Sequence, residues 1–240
     1  NKIDIKGAKV VKRNSFKYFY HLATAKVIVN NSRVGNHIKK KNGQIIIQTW
    51  HGTPLKRLVN DMEVFKFPKT TKEQYLSGFA KEVEKWDYLV SPNRFSTEKF
   101  KSAFKYEGKF LEVGYPRNDE LLKNYYDLDT LKNDLNIDKN KKVLLYTPTF
   151  RENNFDKKGK YQAKIELDIR LLGKLNPDWI ILVRKHYLIK NNFKRTNNII
   201  DVSSYYSLNK LFLVSDVLLT DYSSVMFDFS ILNKPIMFYA

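Results

Sequence analysis

The chain reads as an α/β protein with parallel sheets covered on both faces, and three features of the sequence lead there. Its strand candidates are short, continuous apolar runs rich in β-branched residues, as expected for strands buried on both faces. They alternate with segments whose apolar residues recur at helical spacing. The alternation occurs twice, on either side of a polar, charge-rich stretch. With 240 residues there is room for two domains of ordinary size. The expected division is residues 1–122, a connection over 123–142, and residues 143–240.

In the first series, Lys9-Val10-Val11 and Ala25-Lys26-Val27-Ile28-Val29 are expected as strands, separated by an aromatic, helix-compatible segment over 15–23. Asn30-Asn31-Ser32-Arg33 supplies turn chemistry after the second. Ile45-Ile46-Ile47 is too short and too branched for a helix and reads as a buried strand. It runs into Gln48-Thr49-Trp50-His51-Gly52-Thr53-Pro54, where Gly52 permits tight geometry and Pro54 ends the ladder. Tyr75, Phe79 and Val83, at i, i+4 and i+8, predict a helix over 71–85. Trp86-Asp87-Tyr88-Leu89-Val90 is the next strand, closed by Ser91-Pro92-Asn93, and Ser96 is expected to cap a helix through Phe100 and Phe104. Phe110-Leu111-Glu112-Val113 follows, with Gly114-Tyr115-Pro116-Arg117-Asn118-Asp119 as its polar turn and Asp119 as the cap of a short helix. The connection carries a helical segment near 128–135.

The second series starts with Val143-Leu144-Leu145-Tyr146, leading into Thr147-Pro148-Thr149. A basic loop is expected over 152–163, then a helix over 165–175 with Ile165, Ile169 and Leu172 on one side. Trp179-Ile180-Ile181-Leu182-Val183 leads into Arg184-Lys185-His186, followed by a strand over 198–202 and a helix over 208–214. Val217-Leu218-Leu219 leads into Thr220-Asp221-Tyr222-Ser223-Ser224, a helix to Leu232 and a last strand. That strand candidate is the final stretch of the sequence, so the chain is expected to be a piece of a longer polypeptide, incomplete at both ends.

Composition narrows the chemistry. The chain has no cysteine, which excludes disulfides, thiolate zinc sites and a cysteine nucleophile. Its four histidines, at 21, 37, 51 and 186, show no metal-binding spacing. No apolar run approaches the length of a membrane span. A formal net charge of +18 calls for an anionic partner: nucleic acid, an anionic membrane face or a polyanionic substrate. Lysine dominates and is dispersed, with runs at 39–41, 139–142 and 157–160, and a biased genome would produce the same composition.

The informative feature is where the polar residues fall. Strand after strand ends in a polar constellation: His51, Ser91-Pro92-Asn93, Arg117, Thr147-Pro148-Thr149, Arg184-Lys185-His186 and Ser223-Ser224. Parallel strands place such ends on one edge, so two facing domains would line one cleft with them. A core histidine tied to nearby backbone is the plain alternative for His51, and the Gly- and Pro-fixed turn argues against it. Ser223 and Ser224 open a helix, where unpaired N–H groups suit a phosphate, although ordinary capping needs the same residues. Arg184 and Lys185 read as fixed cations at the end of an expected central strand, or else as a solvated edge. Asp228, one helical turn past Ser224, could accept hydrogen bonds from a ribose or pair with a cation.

Gln48-Thr49-Trp50-His51-Gly52-Thr53-Pro54-Leu55-Lys56, Gly114-Tyr115-Pro116-Arg117-Asn118-Asp119, Tyr146-Thr147-Pro148-Thr149, Arg184-Lys185-His186 and Thr220-Asp221-Tyr222-Ser223-Ser224 together resemble the CDP-glycerol glycerophosphotransferases, the teichoic acid polymerases and primases of Gram-positive bacteria. The motifs stand in the family's order from about residue 9 to residue 240. The resemblance implies a GT-B architecture of two Rossmann-like domains facing across a cleft, and peripheral attachment to the cytoplasmic face of the cell membrane. It implies attack by a hydroxyl of an undecaprenyl-diphosphate-linked acceptor on the β-phosphorus of CDP-glycerol, with CMP leaving and no cofactor or metal. His51 and His186 would be catalytic, with His51 the general base. Trp50, Gly52, Thr53, Pro54, Arg117 (from the opposing domain), Pro148, Thr149, Arg184, Lys185, Ser223, Ser224 and Asp228 would bind substrate.

Two rivals remain open on the sequence. A GT-B transferase using CDP-ribitol or a nucleotide sugar would present the same strand ends. A basic nucleic-acid-binding domain would instead show clustered arginines or exposed aromatics interleaved with basic residues. Arginine is scarce here relative to lysine, so no nucleic-acid partner is expected.

Overall fold

The structure is a computed structural model that describes residues 7–65, 67, 70–123, 125–149, 167–175, 177–185 and 196–239. The basic loop expected over 152–163, and His186, lie outside the described residues. The chain divides into two units, one of Asn1–His51, Arg57–Glu63 and Thr70–Gly114, the other of Gly52–Lys56, Val64–Lys69 and Tyr115–Ala240.

The first unit contains α1 (Phe16–Thr24), β1 (Val27–Asn30), β2 (Ile45–Gln48), α2 (Lys72–Val83), β3 (Tyr88–Ser91), α3 (Arg94–Phe104) and β4 (Lys109–Glu112). Its strands form one parallel sheet in the order β1-β2-β3-β4. Phe79 of α2 and Phe100 and Phe104 of α3 are fully buried against Ile46, Leu89 and Trp86. Burial of each such side chain contributes on the order of 1.5–3 kcal/mol. Thr71 and Gln74 form a reciprocal capping box at the start of α2.

Three local expectations are corrected in and beside this unit. Residues 9–11 form no strand: Val10 is 59% exposed, and β1 is the edge of the described sheet. Ser96 does not cap α3. It is the third helical residue, and its N–H donates to the true cap, Asn93 Oδ1, at 2.9 Å. Asp119 is likewise inside α4 (Asp119–Leu122), which follows a 3₁₀ turn opened by Pro116.

The second unit continues with α5 (Leu128–Asp134), β5 (Lys142–Thr147), α6 (Ile169–Leu175), β6 (Trp179–Val183), β7 (Ile199–Asp201), α7 (Leu208–Val214), β8 (Val217–Thr220), α8 (Val225–Ser230) and β9 (Ile236–Phe238). All five strands are parallel, in the order β7-β6-β5-β8-β9. Val143 and Leu145 of β5 enter one apolar cluster, while Leu144 and Tyr146 enter another. The alternation shows that both faces of the sheet are covered. Segment 123–142, expected as a connection, supplies Leu131, Leu135 and Ile137 to the first of these clusters.

The strand order also marks a candidate ligand position. The chain builds outward from β5 through β6 to β7, then returns to place β8 against the other side of β5. Such a reversal leaves a crevice outside the carboxyl ends of the two central strands, where open α/β sheets bind ligands. Here those ends are Thr147-Pro148-Thr149 and Thr220-Asp221-Tyr222-Ser223-Ser224.

Candidate active site

In the first unit the site is built on the end of β2. Strand alternation turns Gln48 inward, and it is fully buried. Its Oε1 accepts the Trp50 N–H at 2.9 Å, and its Nε2 donates to Ser32 O at 3.0 Å. Trp50 has φ +54°, a left-handed conformation that is a genuine outlier for so bulky a residue. The Trp50 ring offsets that cost by packing on the aromatic core, with its centroid 4.6 Å from that of Phe104.

The turn presents His51 to solvent, stacked on Trp50 with ring centroids 4.4 Å apart. His51 Nδ1 lies 2.8 Å from Asn31 O. A carbonyl oxygen can only accept, so in the neutral ring Nδ1 carries the proton and Nε2 keeps its lone pair. His51 is tied to backbone as a core histidine would be, yet it is exposed. An oriented, accessible imidazole nitrogen is what a general base requires.

In the second unit, the Gly52-Thr53-Pro54 loop is held by the buried Tyr115, whose hydroxyl donates to Gly52 O at 2.9 Å. Burial pushes the Tyr115 hydroxyl up to about 12, against the opposing effects of Arg117 and a bond with Thr53, so it stays a donor. A Cβ on Gly52 would lie 2.9 Å from Ser224 Oγ, and thus glycine allows the close approach. Arg117 grips Asp228 with Nη2 at 3.0 and 3.1 Å and Nε at 3.3 Å, and stacks 4.0 Å above the Tyr115 ring. Asn118 Nδ2 adds a third donor to Asp228 Oδ1 at 2.8 Å. Asp228 therefore takes the cation-pairing role of the two expected for it. Arg117, expected on the opposing domain, groups with the second unit.

At the strand-order reversal, Thr220 Oγ1 donates to Thr147 O at 2.8 Å, and Asp221 accepts the Thr149 N–H at 3.0 Å. Pro148 lies on the turn these bonds fix. Ser223 Oγ sits 3.5 Å from the Val225 N–H, too long for a good cap, and Ser224 makes no side-chain cap bond. Both hydroxyls are therefore largely unspent on the helix they precede. Arg184 Nη1 donates to Tyr205 O at 2.7 Å, and its burial lowers its pKa from the usual guanidinium value. Lys185 is buried and paired with Asp201 at 2.8 Å, so its charge is answered within the unit. Of Ser91-Pro92-Asn93, Asn93 caps α3, and Ser91 Oγ donates to Asn93 O at 3.0 Å. Among the described residues, no group of three or more His, Cys, Asp or Glu could hold a metal ion.

Residues 1–240 match the family model of CDP-Glycerol:Poly(glycerophosphate) glycerophosphotransferase. The chain belongs to this family. It is 48% identical over 97% of its length to a teichoic acid poly(glycerol phosphate) polymerase of Staphylococcus epidermidis, covering 33% of that protein. It is 47% identical over 95% of its length to a polymerase of the same description from Bacillus spizizenii, covering 60% of it. The solved structure of the wall teichoic acid polymerase TagF matches with a TM-score of 0.87 at 48% identity, over 96% of this chain and 58% of that one. The chain thus spans between a third and three fifths of the length of these relatives. Its fold class is α/β of the GT-B type, with two Rossmann-like parallel sheets.

For a member of the glycerophosphotransferase family, three residues acquire importance that sequence reasoning missed. Gln48 fixes the turn before His51, Tyr115 clamps the Gly52 carbonyl, and Asp221 ties the Thr149 turn to β8. Gln48 carried a signal, since a polar residue follows three isoleucines at an inward position. Tyr115 and Asp221 stand inside the quoted motifs, but which atoms they hold depends on contacts 63 and 72 residues away in sequence.

Proposed function

We propose that this chain is the catalytic segment of a glycerophosphotransferase that moves glycerol phosphate from CDP-glycerol to a lipid-linked teichoic acid acceptor and releases CMP. The observation that carries the proposal is His51, held through Nδ1 by Asn31 O with Nε2 left to accept a proton, in a chain of this family. The acceptor's terminal hydroxyl loses its proton to His51 Nε2 as its oxygen bonds to the β-phosphorus. The bond from that phosphorus to the oxygen bridging the two phosphates breaks, and its electron pair leaves on CMP. A hydroxyl is a poor nucleophile at neutral pH, so the base supplies a large part of the rate.

Negative charge grows on CMP and on the non-bridging oxygens. Arg184, Ser223, Ser224 and Thr149 are the donors assigned to the diphosphate, each charge-assisted bond contributing about 1.5–3 kcal/mol. His186, which lies outside the described residues, is assigned a catalytic role by the family resemblance. Trp50, Gly52, Thr53, Pro54 and Pro148 shape the surfaces the substrates meet. Arg117, Asp228 and Lys185 act by holding those surfaces, since each is already engaged in an ion pair. The acceptor is taken to be carried on undecaprenyl diphosphate at the cytoplasmic face of an anionic membrane, to which the protein attaches peripherally.

The test is CMP release by the full-length protein supplied with CDP-glycerol or CDP-ribitol, with and without a lipid-linked acceptor. Acceptor-dependent release from CDP-glycerol is expected. Turnover with CDP-ribitol alone would reassign the donor, and no release with either would remove the proposed activity.

A further inference from the structure

We propose that Gln48 is a positioning residue for His51, setting which ring nitrogen is protonated and where the free one points. The inference rests on His51 being the general base. Gln48 is fully buried at the end of β2, where an apolar residue would pack without needing partners. Its amide instead bridges two separate pieces of backbone. Nε2 holds Ser32 O, next to the Asn31 carbonyl that accepts from His51, and Oε1 holds the N–H of Trp50, next to His51 itself.

One side chain therefore grips both the base's own turn and the turn that carries its orienting carbonyl. The geometry asks for such a grip at this place. Trp50 is held at φ +54°, and a left-handed tryptophan persists only where its surroundings over-determine it. The 31–35 turn is fastened again further along: buried Glu82 accepts the Val34 N–H at 2.6 Å, and Lys85 donates to Gly35 O at 2.8 Å. Those two bonds hold the far end of the turn, while Gln48, with Asn30 Nδ2 donating to the same Ser32 O, holds the end nearest Asn31. A glutamine is suited to the task because a single neutral group offers both a donating NH₂ and an accepting carbonyl oxygen. Glutamate would keep the acceptor but lose the donor, and leucine would lose both.

The test uses the full-length protein with ¹⁵N-labelled histidine, with the His51 ring signals assigned by their loss in His51→Ala. Wild-type His51 should be the Nδ1-protonated tautomer when neutral. Gln48→Leu should show a mixture of tautomers and a fall in kcat of about 10²-fold, with KM for CDP-glycerol little changed. Gln48→Glu should lie between the two. A purely structural role for Gln48 would lower thermal stability but leave the tautomer and kcat of the folded fraction at wild-type values, and that result overturns the proposal. An Nε2-protonated His51 in the wild type overturns it as well, even if Gln48→Leu does not fold. Full activity in His51→Ala would remove the base itself, whereas an inactive His51→Ala beside a fully active Gln48→Leu removes only the role of Gln48.

Discussion

Gly52 illustrates how tightly single atoms are placed around the candidate site. A methyl group there would lie 2.9 Å from Ser224 Oγ and 3.6 Å from Ser224 Cβ. The first distance is too short for stable contact and the second is ordinary, so the conflict is with one oxygen. Gly52→Ala should therefore lower stability by about 1 kcal/mol and reduce turnover. Adding Ser224→Ala should restore the stability, because only Oγ is in the way. A double-mutant cycle on thermal unfolding reads this directly, and strict additivity of the two changes would show that the atoms do not meet. The turn residues carried this much in the sequence: a glycine before Thr-Pro announced tight geometry. What it could not announce was the neighbour, since Ser224 lies far along the chain and its hydroxyl could equally have been a plain helix cap.

Helix termini and strand pairs decide how well these atoms are held. The cap of α3 is Asn93, whose side chain accepts from the buried Ser96 N–H, while Ser96 Oγ has no hydrogen-bond partner among the described residues. Asn93→Ala should cost about 1 kcal/mol, and Ser96→Ala should be neutral or stabilising, measured by denaturant unfolding. The reverse order would restore Ser96 as the cap. Serine and asparagine are both good caps, so residue type alone could not choose between them, and the actual first turn decided it. Between β6 and β7, burial pushes the Asp201 carboxyl up, but the Lys185 ion pair and the bonds from Ser203 outweigh it and hold the group below its usual 3.8. A lowered carboxylate pKa adds stability that is present above 3.8 and lost as pH falls below it. Asp201→Asn should therefore be less stable than the wild type at neutral pH, with the gap closing in acid. A gap that stays constant with pH would detach the pair from folding. Continuous apolar runs such as Val143-Leu144-Leu145-Tyr146 made the strands legible. The five-strand order, which reverses at β5, depends on long-range pairing that no local pattern contains.

A net charge of +18 belongs to the chain as a whole, and no described helix is long and apolar enough to cross a membrane. Each basic residue near an anionic surface contributes about 1 kcal/mol, and the attraction fades beyond a Debye length of roughly 8 Å at physiological salt. The intact protein should sediment with vesicles rich in phosphatidylglycerol and be released by salt. Equal, salt-insensitive binding to neutral vesicles would assign attachment to apolar insertion and leave the charge to the proposed anionic acceptor or to a biased genome.

In the proposed mechanism, transfer depends on His51, which is presented by one strand end and oriented by one carbonyl. The decisive measurement is turnover of CDP-glycerol onto a lipid-linked acceptor by His51→Ala, taken together with donor affinity. A general base contributes roughly 10²-fold or more to the rate, so kcat should fall by at least that factor while the donor still binds. Near-normal turnover by His51→Ala would contradict the role given to His51 and, with it, the mechanism proposed for this chain.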